Sequence, residues 1–328
     1  MKVFITGSNG FLGSNLIREL LKRNYEIIAF VKYGESTKNI DGLDIKLRFG
    51  DILDINSLIK SMLGCEIVIH TAASTSLWPY RSEFQKQINI EGTKNVVAAA
   101  KNINIKKFIH IGTANSFGFG TKENPGDETK PYTAGKYKLD YMDTKYKAQQ
   151  YILNEVRENN FPAVIINPTF MFGPFGNIEG SAQMVERIYN KKFPGYTKGG
   201  RNYVSVKDVV IAIANAIEKG KIGECYIAGN ENLNYKEITE LIAKVVGVKA
   251  PSIYFPSYLV KIYTIIITIT AIIFRFKPSI NYRMGLMSLD EHYYSSTKAV
   301  KELNMPQSAL KEAIIETFEW LKNEKIIN

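Results

Sequence analysis

Apolar positions in this chain fall into short runs that alternate with longer amphipathic stretches. Lys2 to Thr6 (KVFIT) is β-branched and aromatic, whereas Ser14 to Arg23 (SNLIRELLKR) repeats its apolar residues at helical spacing. The alternation continues: Glu26 to Val31 predicts a strand ending at Lys32, Asp44 to Phe49 a third strand, and Asp54 to Met62 a helix. Cys65 to His70 predicts a fourth strand, Ile88 to Lys101 a helix, Lys107 to Ile111 a fifth strand, Tyr141 to Arg157 a long helix and Ala163 to Asn167 a sixth strand. Strands this uniformly apolar, separated by helices, predict a parallel sheet covered on both faces. This is the doubly wound α/β (Rossmann) architecture, whose ligands sit at the carboxyl ends of the strands.

Beyond Pro168 the rhythm changes. Phe172-Gly173-Pro174-Phe175-Gly176 is a turn-rich break; Val206 to Glu218 predicts a helix and Glu224 to Ala228 a strand that return to the sheet. The expected division is a dinucleotide-binding domain over 1–170, with 203–229 returning to it, and a smaller interleaved α/β lobe over 171–328, closed by a helix from Ala309 to Asn323. Ile262 to Phe274 (IYTIIITITAIIF) is the most hydrophobic stretch, and at 13 residues it is short of the roughly 20 needed to span a bilayer. A buried helix of the small lobe is expected there. The alternatives are a greasy wall for a lipid-like substrate, or peripheral membrane contact through 258–277 with Lys261, Arg275 and Lys277 at the headgroups.

Composition narrows the chemistry. At 328 residues and 45% hydrophobic, the chain can bury a sizeable core. Two cysteines, Cys65 and Cys225, offer neither a disulfide framework nor a CxxC site, and three histidines without paired spacing argue against a catalytic metal. No basic and apolar leader precedes the first strand, so a cytoplasmic, reducing location is expected. The net charge of +10 comes from lysines spread without a dense block, which points to solubility and attraction for an anionic cofactor rather than to nucleic acid.

Between the first strand and the first helix lies Gly7-Ser8-Asn9-Gly10-Phe11-Leu12-Gly13. Its glycines allow a tight turn and close approach to a pyrophosphate, and the free N–H groups of the helix favour negative charge. Alone, GxxGxxG fits a simple strand-to-helix connection as well; its position favours a dinucleotide. The end of strand two selects the dinucleotide: a carboxylate there would accept from ribose hydroxyls, whereas a cation suits a 2′-phosphate. Lys32 stands there, with no carboxylate before Glu35 and with Lys38 further on, so NADP is preferred and NAD remains the alternative. Asp51 suits either the adenine amino group or a helix N-cap.

A ketone or alcohol site that uses a nicotinamide needs an acid/base near the reacting carbon and a donor on the carbonyl oxygen. Tyrosine with lysine four residues later supplies this on one helix face, and the lysine charge should lower the phenol from about 10. Among 19 tyrosines the pattern occurs four times, at Tyr132/Lys136, Tyr141/Lys145, Tyr203/Lys207 and Tyr294/Lys298. Tyr132 follows Pro131 and has Gly135 between the partners, Tyr203 lies on an extended stretch and Tyr294 is at a strand end. Tyr141 and Lys145 open the long helix, with Thr113 just past strand five, so these three can meet at one switch point. A capping role for Thr113 is the plain alternative.

Together these residues resemble the extended short-chain dehydrogenase/reductases. The resemblance rests on Thr6 to Gly13, Gly50-Asp51, His70-Thr71-Ala72-Ala73, Asn89-Ile90-Glu91-Gly92-Thr93, Tyr141 to Lys145, Asn167-Pro168 through Gly173-Pro174, and Tyr203 to Val209, in order. It implies that Tyr141 is the acid/base, that Lys145 also binds the nicotinamide ribose, and that Thr113 occupies the family's Ser/Thr position, with Ser116 the fallback. It implies a cofactor cleft lined by Phe11, Leu12, Ala72 and Pro168, to which Ile52, Thr71, Ala73 and Asn89 are added from the matching motifs. Lys32, the apolar C-terminal lobe and Tyr293 to Leu303 look like the branch of dihydroflavonol reductases and 3β-hydroxysteroid dehydrogenases, which act on small apolar ketones and alcohols; a homodimer is expected. The rivals are a sugar-nucleotide 4-epimerase holding NAD tightly, with Arg201 on a diphosphate, and a dinucleotide-binding sensor without turnover. A sugar-nucleotide dehydratase fits less well, because Ala114 and Asn115 follow Thr113 where that type carries acidic residues.

Overall fold

The computed structural model describes residues 1–176 and 179–327. In chain order the strands are β1 (Lys2–Thr6), β2 (Glu26–Lys32), β3 (Lys46–Gly50), β4 (Ile67–His70), β5 (Lys107–Ile111), β6 (Ala163–Pro168), β7 (Phe170–Phe172), β8 (Gly195–Tyr196), β9 (Gly200–Ser205), β10 (Cys225–Ala228), β11 (Glu231–Asn234), β12 (Ile253–Tyr254) and β13 (Glu291–His292). The helices are α1 (Phe11–Lys22), α2 (Ile55–Met62), α3 (Glu83–Lys86), α4 (Thr93–Asn102), α5 (Asp140–Asn159), α6 (Gly180–Tyr189), α7 (Val206–Lys219), α8 (Tyr235–Val246), α9 (Ser257–Ile273), α10 (Tyr282–Met287), α11 (Thr297–Leu303) and α12 (Leu310–Asn323).

Seven parallel strands form the main sheet in the order β10-β6-β5-β4-β1-β2-β3. Period-two alternation sends Val3 and Ile5 into a core with Leu16, Ile17, Val209 and Ile213 on the α1 and α7 side. Phe4 points the other way, into a core with Phe30, Leu58, Val96, Phe108 and Ile152. Both faces are buried, as the continuous apolar strands require. Strand order reverses between β1 and β4, so the carboxyl ends of these two strands open the crevice in which such folds bind ligands.

The remaining strands form smaller sheets. β9 is flanked by β11 and β13 and also pairs with β7, while β8 pairs with β12. A third core of Phe172, Val185, Ile242, Ile314 and Phe318 lies beneath them. From within this C-terminal half, Ala299, Leu303 and Met305 pack back into the α1 and α7 core.

Two local expectations are corrected. The helix expected over 88–101 begins as a wider π-turn at Gln87–Gly92 before α4 takes over. The helix expected to be buried is not: α9 turns only Val260, Thr264, Thr268 and Ala271 inward, while Ile262, Ile266, Ile269, Ile272 and Phe274 are exposed. Its inward stripe is made of small and hydroxyl-bearing residues because it packs tightly on α10, where a Cβ on Gly285 would come within 2.7 Å of Thr264 Oγ1.

Candidate active site

The nucleotide end of the crevice is built by backbone that tolerates no side chain. Gly7 turns the chain at φ +65°, and a Cβ there would stand 2.8 Å from the Ala72 backbone; at Gly13 a Cβ would lie 2.2 Å from the Gly7 carbonyl oxygen. Only glycine allows β1, α1 and the loop after β4 to close this tightly. Gly10 begins α1 without a side-chain cap and with no acidic residue in the first turn, which leaves the helix's positive end free for an anion. Thr71 Oγ1 donates to the Thr6 carbonyl at 2.6 Å, and the Ala72 N–H donates to Thr6 Oγ1 at 3.3 Å, fixing Thr71, Ala72 and Ala73 beside the glycine turn. The cradle and the uncapped helix fit a dinucleotide pyrophosphate.

Lys32 and Asp51 lie on neighbouring strand ends and meet, Nζ to Oδ2, at 3.7 Å, with the lysine half exposed beside Phe84. Lys38 is drawn away to Glu324. Asp51 is not the N-cap of α2: that residue is Asp54, which accepts from the Asn56 and Ser57 N–H groups, while Asp51 Oδ1 accepts from the Leu53 N–H. Ile52 is buried against Gly92, where a Cβ would meet its side chain at 2.5 Å. The π-turn carries Asn89 inward, where its Nδ2 donates to the Ser74 carbonyl and to Thr144 Oγ1 and its Oδ1 accepts from the Ser74 N–H. Asn89 therefore braces the loop after β4 against α5. π-turns of this kind recur at functional sites.

The chemical end lies where β5 meets α5. Tyr141 and Lys145 share one face of α5, and Thr113 sits immediately beyond β5. The side chain of Thr113 caps the following turn, accepting from the Asn115 N–H at 3.3 Å, and its influence on the Tyr141 phenol is to lower it. The capping role offered for Thr113 is present. Lys145 is buried, and its Nζ donates to the Ile111 carbonyl at 2.5 Å; burial pulls the ammonium down to about 8. Burial raises the Tyr141 phenol, and the groups that lower it are Thr113 and the Arg201 guanidinium. Lys145, expected to lower the phenol, has its ammonium turned onto the Ile111 carbonyl of β5. Pro168 ends β6, and beside it Asn167 Nδ2 donates to the Thr113 carbonyl at 3.0 Å and to Gln149 Oε1 at 2.7 Å.

The other Tyr/Lys pairs do not form such a face. Tyr132 donates to Asp143 and stacks on Tyr146; Tyr203 is fully buried in β9, while Lys207 pairs with Glu316; Lys298 pairs with Glu224. Ser116 is buried and lines a separate cleft with Glu128 and Gln149. His70 lies between Thr6 Oγ1 and Thr93 Oγ1, and burial pushes it down to about 3, so it stays neutral.

Sequence patterns missed the surroundings of Tyr141. It packs against a cluster that includes Tyr137, Leu139, Met142 and Met287, with Leu77 and Leu286 at the edge, drawn from its own stretch, from α10 and from the segment around Leu77. Arg201 comes in from β9, donating Nε–H to the Tyr235 hydroxyl at 2.8 Å and lying over Phe170. Only the side-chain alternation of β9 hinted that Arg201 and Tyr203 share a face.

Residues 3–229 match the model of the NAD dependent epimerase/dehydratase family. The chain belongs to that family. It is an enzyme of the extended short-chain dehydrogenase/reductase type, and its family works with NAD(P). A Synechocystis sp. protein provisionally named dihydroflavonol 4-reductase is 30% identical over 325 residues, 98% of this chain and 94% of the relative. A Stigmatella aurantiaca 4-hydroxy-2-methyl-3-oxo-4-farnesyl-3,4-dihydroquinoline-1-oxide ketoreductase is 28% identical, covering 76% of this chain and 75% of its own. Among solved structures, gox2253 superposes with TM-score 0.87 at 30% identity over 99% of both chains. The NAD complex of Thermus thermophilus UDP-glucose 4-epimerase reaches 0.78 at 20% identity, covering 98% of this chain and 99% of its own, a likeness of fold alone.

Proposed function

We propose that this protein is an NADP-dependent reductase that interconverts a ketone and a secondary alcohol on a fairly apolar substrate, steroid-, flavonoid- or lipid-like. The observation that carries this is the apolar setting of Tyr141, packed against the cluster of Tyr137, Met142, Leu77, Leu286 and Met287. The ketoreductase relative, whose name carries a farnesyl group, adds support.

A bound nicotinamide would supply the hydride. Gly7, Gly10 and the first turn of α1 would hold the pyrophosphate, Lys32 the 2′-phosphate and Asp51 the adenine amino group. Lys145 would hold the nicotinamide ribose. In reduction Tyr141 donates its phenolic proton to the carbonyl oxygen, and Thr113 orients that oxygen; in oxidation Tyr141 accepts the proton back. Burial, which keeps the phenol protonated, suits the reductive direction.

Titration with NADPH, NADP, NADH and NAD, followed by nicotinamide fluorescence, tests the cofactor. Preference for freely exchanging NADPH is expected, whereas NAD released only on denaturation would overturn it. The second reading, a sugar-nucleotide 4-epimerase with bound NAD, is favoured by one feature, the Arg201 cation, whose charge acts to lower the Tyr141 phenol. It predicts conversion of UDP-glucose that is lost in Arg201→Ala.

A further inference from the structure

We propose that α9 and its flanks dock this protein onto an anionic lipid surface, with the helix lying in the plane of the interface. The proposal stands independently of the reaction assigned to Tyr141. It rests on an inverted helix. Over Ser257–Ile273 the stripe turned to the protein is Val260, Thr264, Thr268 and Ala271, while the outward face carries Tyr258, Leu259, Ile262, Tyr263, Ile265, Ile266, Ile269, Ile272 and Ile273. Phe274 is 74% exposed and Phe276 44%, and Ile253 and Tyr254 of β12 extend the patch. A contiguous apolar surface of this kind marks a contact with something apolar.

The occupant is indicated by charge. Residues 241–289 contain no Asp or Glu but six cations, Lys244, Lys249, Lys261, Arg275, Lys277 and Arg283. Among the described residues, the carboxylate that answers any of them is Glu179, paired with Lys277. Lys261 and Arg275 are exposed beside the apolar face, on side chains long enough to keep their charge at the headgroups while their stems lie in the acyl boundary. The helix's threonines bond to its own backbone: Thr264 Oγ1 donates to the Val260 carbonyl at 2.7 Å, Thr268 Oγ1 to the Thr264 carbonyl at 2.6 Å and Thr270 Oγ1 to the Ile267 carbonyl at 3.0 Å. A second copy on the same face would bring these cations toward their own counterparts, with Glu179 beside Lys277 as the carboxylate paired there. No described helix is long and apolar enough to cross a membrane, which leaves an in-plane position. The dock lies close to the chemistry: α9 packs through Thr264 on Gly285 of α10, and Leu286 and Met287 of α10 join the cluster that holds Tyr141.

The test is co-sedimentation of the full chain with phosphatidylcholine vesicles, with and without phosphatidylglycerol, alongside sedimentation velocity in the absence of lipid. The wild type should pellet with the anionic vesicles and bind less at high salt. Ile266→Glu with Ile269→Glu should weaken binding by at least about a hundredfold, and Lys261→Gln and Arg275→Gln by about fivefold each, with thermal melts unchanged. Wild-type protein that stays in the supernatant at both lipid compositions overturns the proposal. So does a wild-type dimer that ignores vesicles and dissociates in the double glutamate variant, which would assign the face to a second copy. The salt arm needs only the wild type, so the proposal remains testable if a variant misfolds.

Discussion

Lys145 ties the chemistry to pH. Its ammonium loses water on folding and gains only the Ile111 carbonyl, so its pKa falls from 10.5 to about 8. In the unfolded chain a lysine keeps its proton to about 10.4. Between these values the unfolded chain binds more protons than the folded one, so stability rises with pH across that window, and below it the buried cation is a constant cost of about 3 kcal/mol. Activity runs the other way. The cation is present below about 8, so kcat/KM for ketone reduction should fall as pH rises through that value, and Lys145→Gln should lose this limb along with most of the rate. A pH–rate profile flat across the interval would contradict the assignment. At the other end of the cleft, Lys32→Ala should weaken NADPH by about tenfold and leave NADH nearly unchanged, as measured by fluorescence titration. Tyr141 and Lys145 could be picked from four Tyr/Lys pairs because helix periodicity and their place after β5 are written locally. The Lys32–Asp51 contact could not, since it depends on the register of β2 against β3, which sets Lys32 opposite Gly50. The same holds for Arg201, whose approach to Tyr141 is set by the packing of β9.

Among the elements, the β1–α1 connection has the least freedom. A methyl group at Gly13 would press on the Gly7 carbonyl at 2.2 Å, so Gly13→Ala should force α1 away from β1. The expected outcome is a loss of about 1–3 kcal/mol in denaturant unfolding, together with loss of dinucleotide binding. Unchanged affinity for every dinucleotide would place the pyrophosphate elsewhere. This turn was legible in the sequence because glycine spacing between a strand and a helix constrains the backbone directly. α9 was not: its apolar run predicted burial, but a hydrophobic sequence does not say which face has a partner. The π-turn at Gln87–Gly92 escaped for a related reason, since its extra residue is imposed by Asn89 reaching the loop after β4 and Thr144.

In the whole molecule, the parallel sheet puts every proposed group at one edge: glycine turn, Lys32 and Asp51 toward the nucleotide, Thr113, Tyr141 and Lys145 toward the reacting carbon. Strand alternation made that edge readable, because near-continuous apolar strands leave only their carboxyl ends for polar work. The C-terminal elements were harder to place, since short strands such as β7 and β13 find their partner in β9 only through tertiary packing. The central claim is net hydride transfer to an apolar ketone with Tyr141 as proton donor. Its most direct test is incubation with NADPH carrying deuterium at the nicotinamide C4 and a panel of steroid, flavonoid and long-chain ketones, read by mass spectrometry of the alcohols. The account predicts one deuterium on the carbinol carbon, and at least about a hundredfold loss of rate in Tyr141→Phe with unchanged NADPH affinity. No deuterated alcohol from any ketone, with UDP-glucose epimerised by protein-bound NAD, would contradict it.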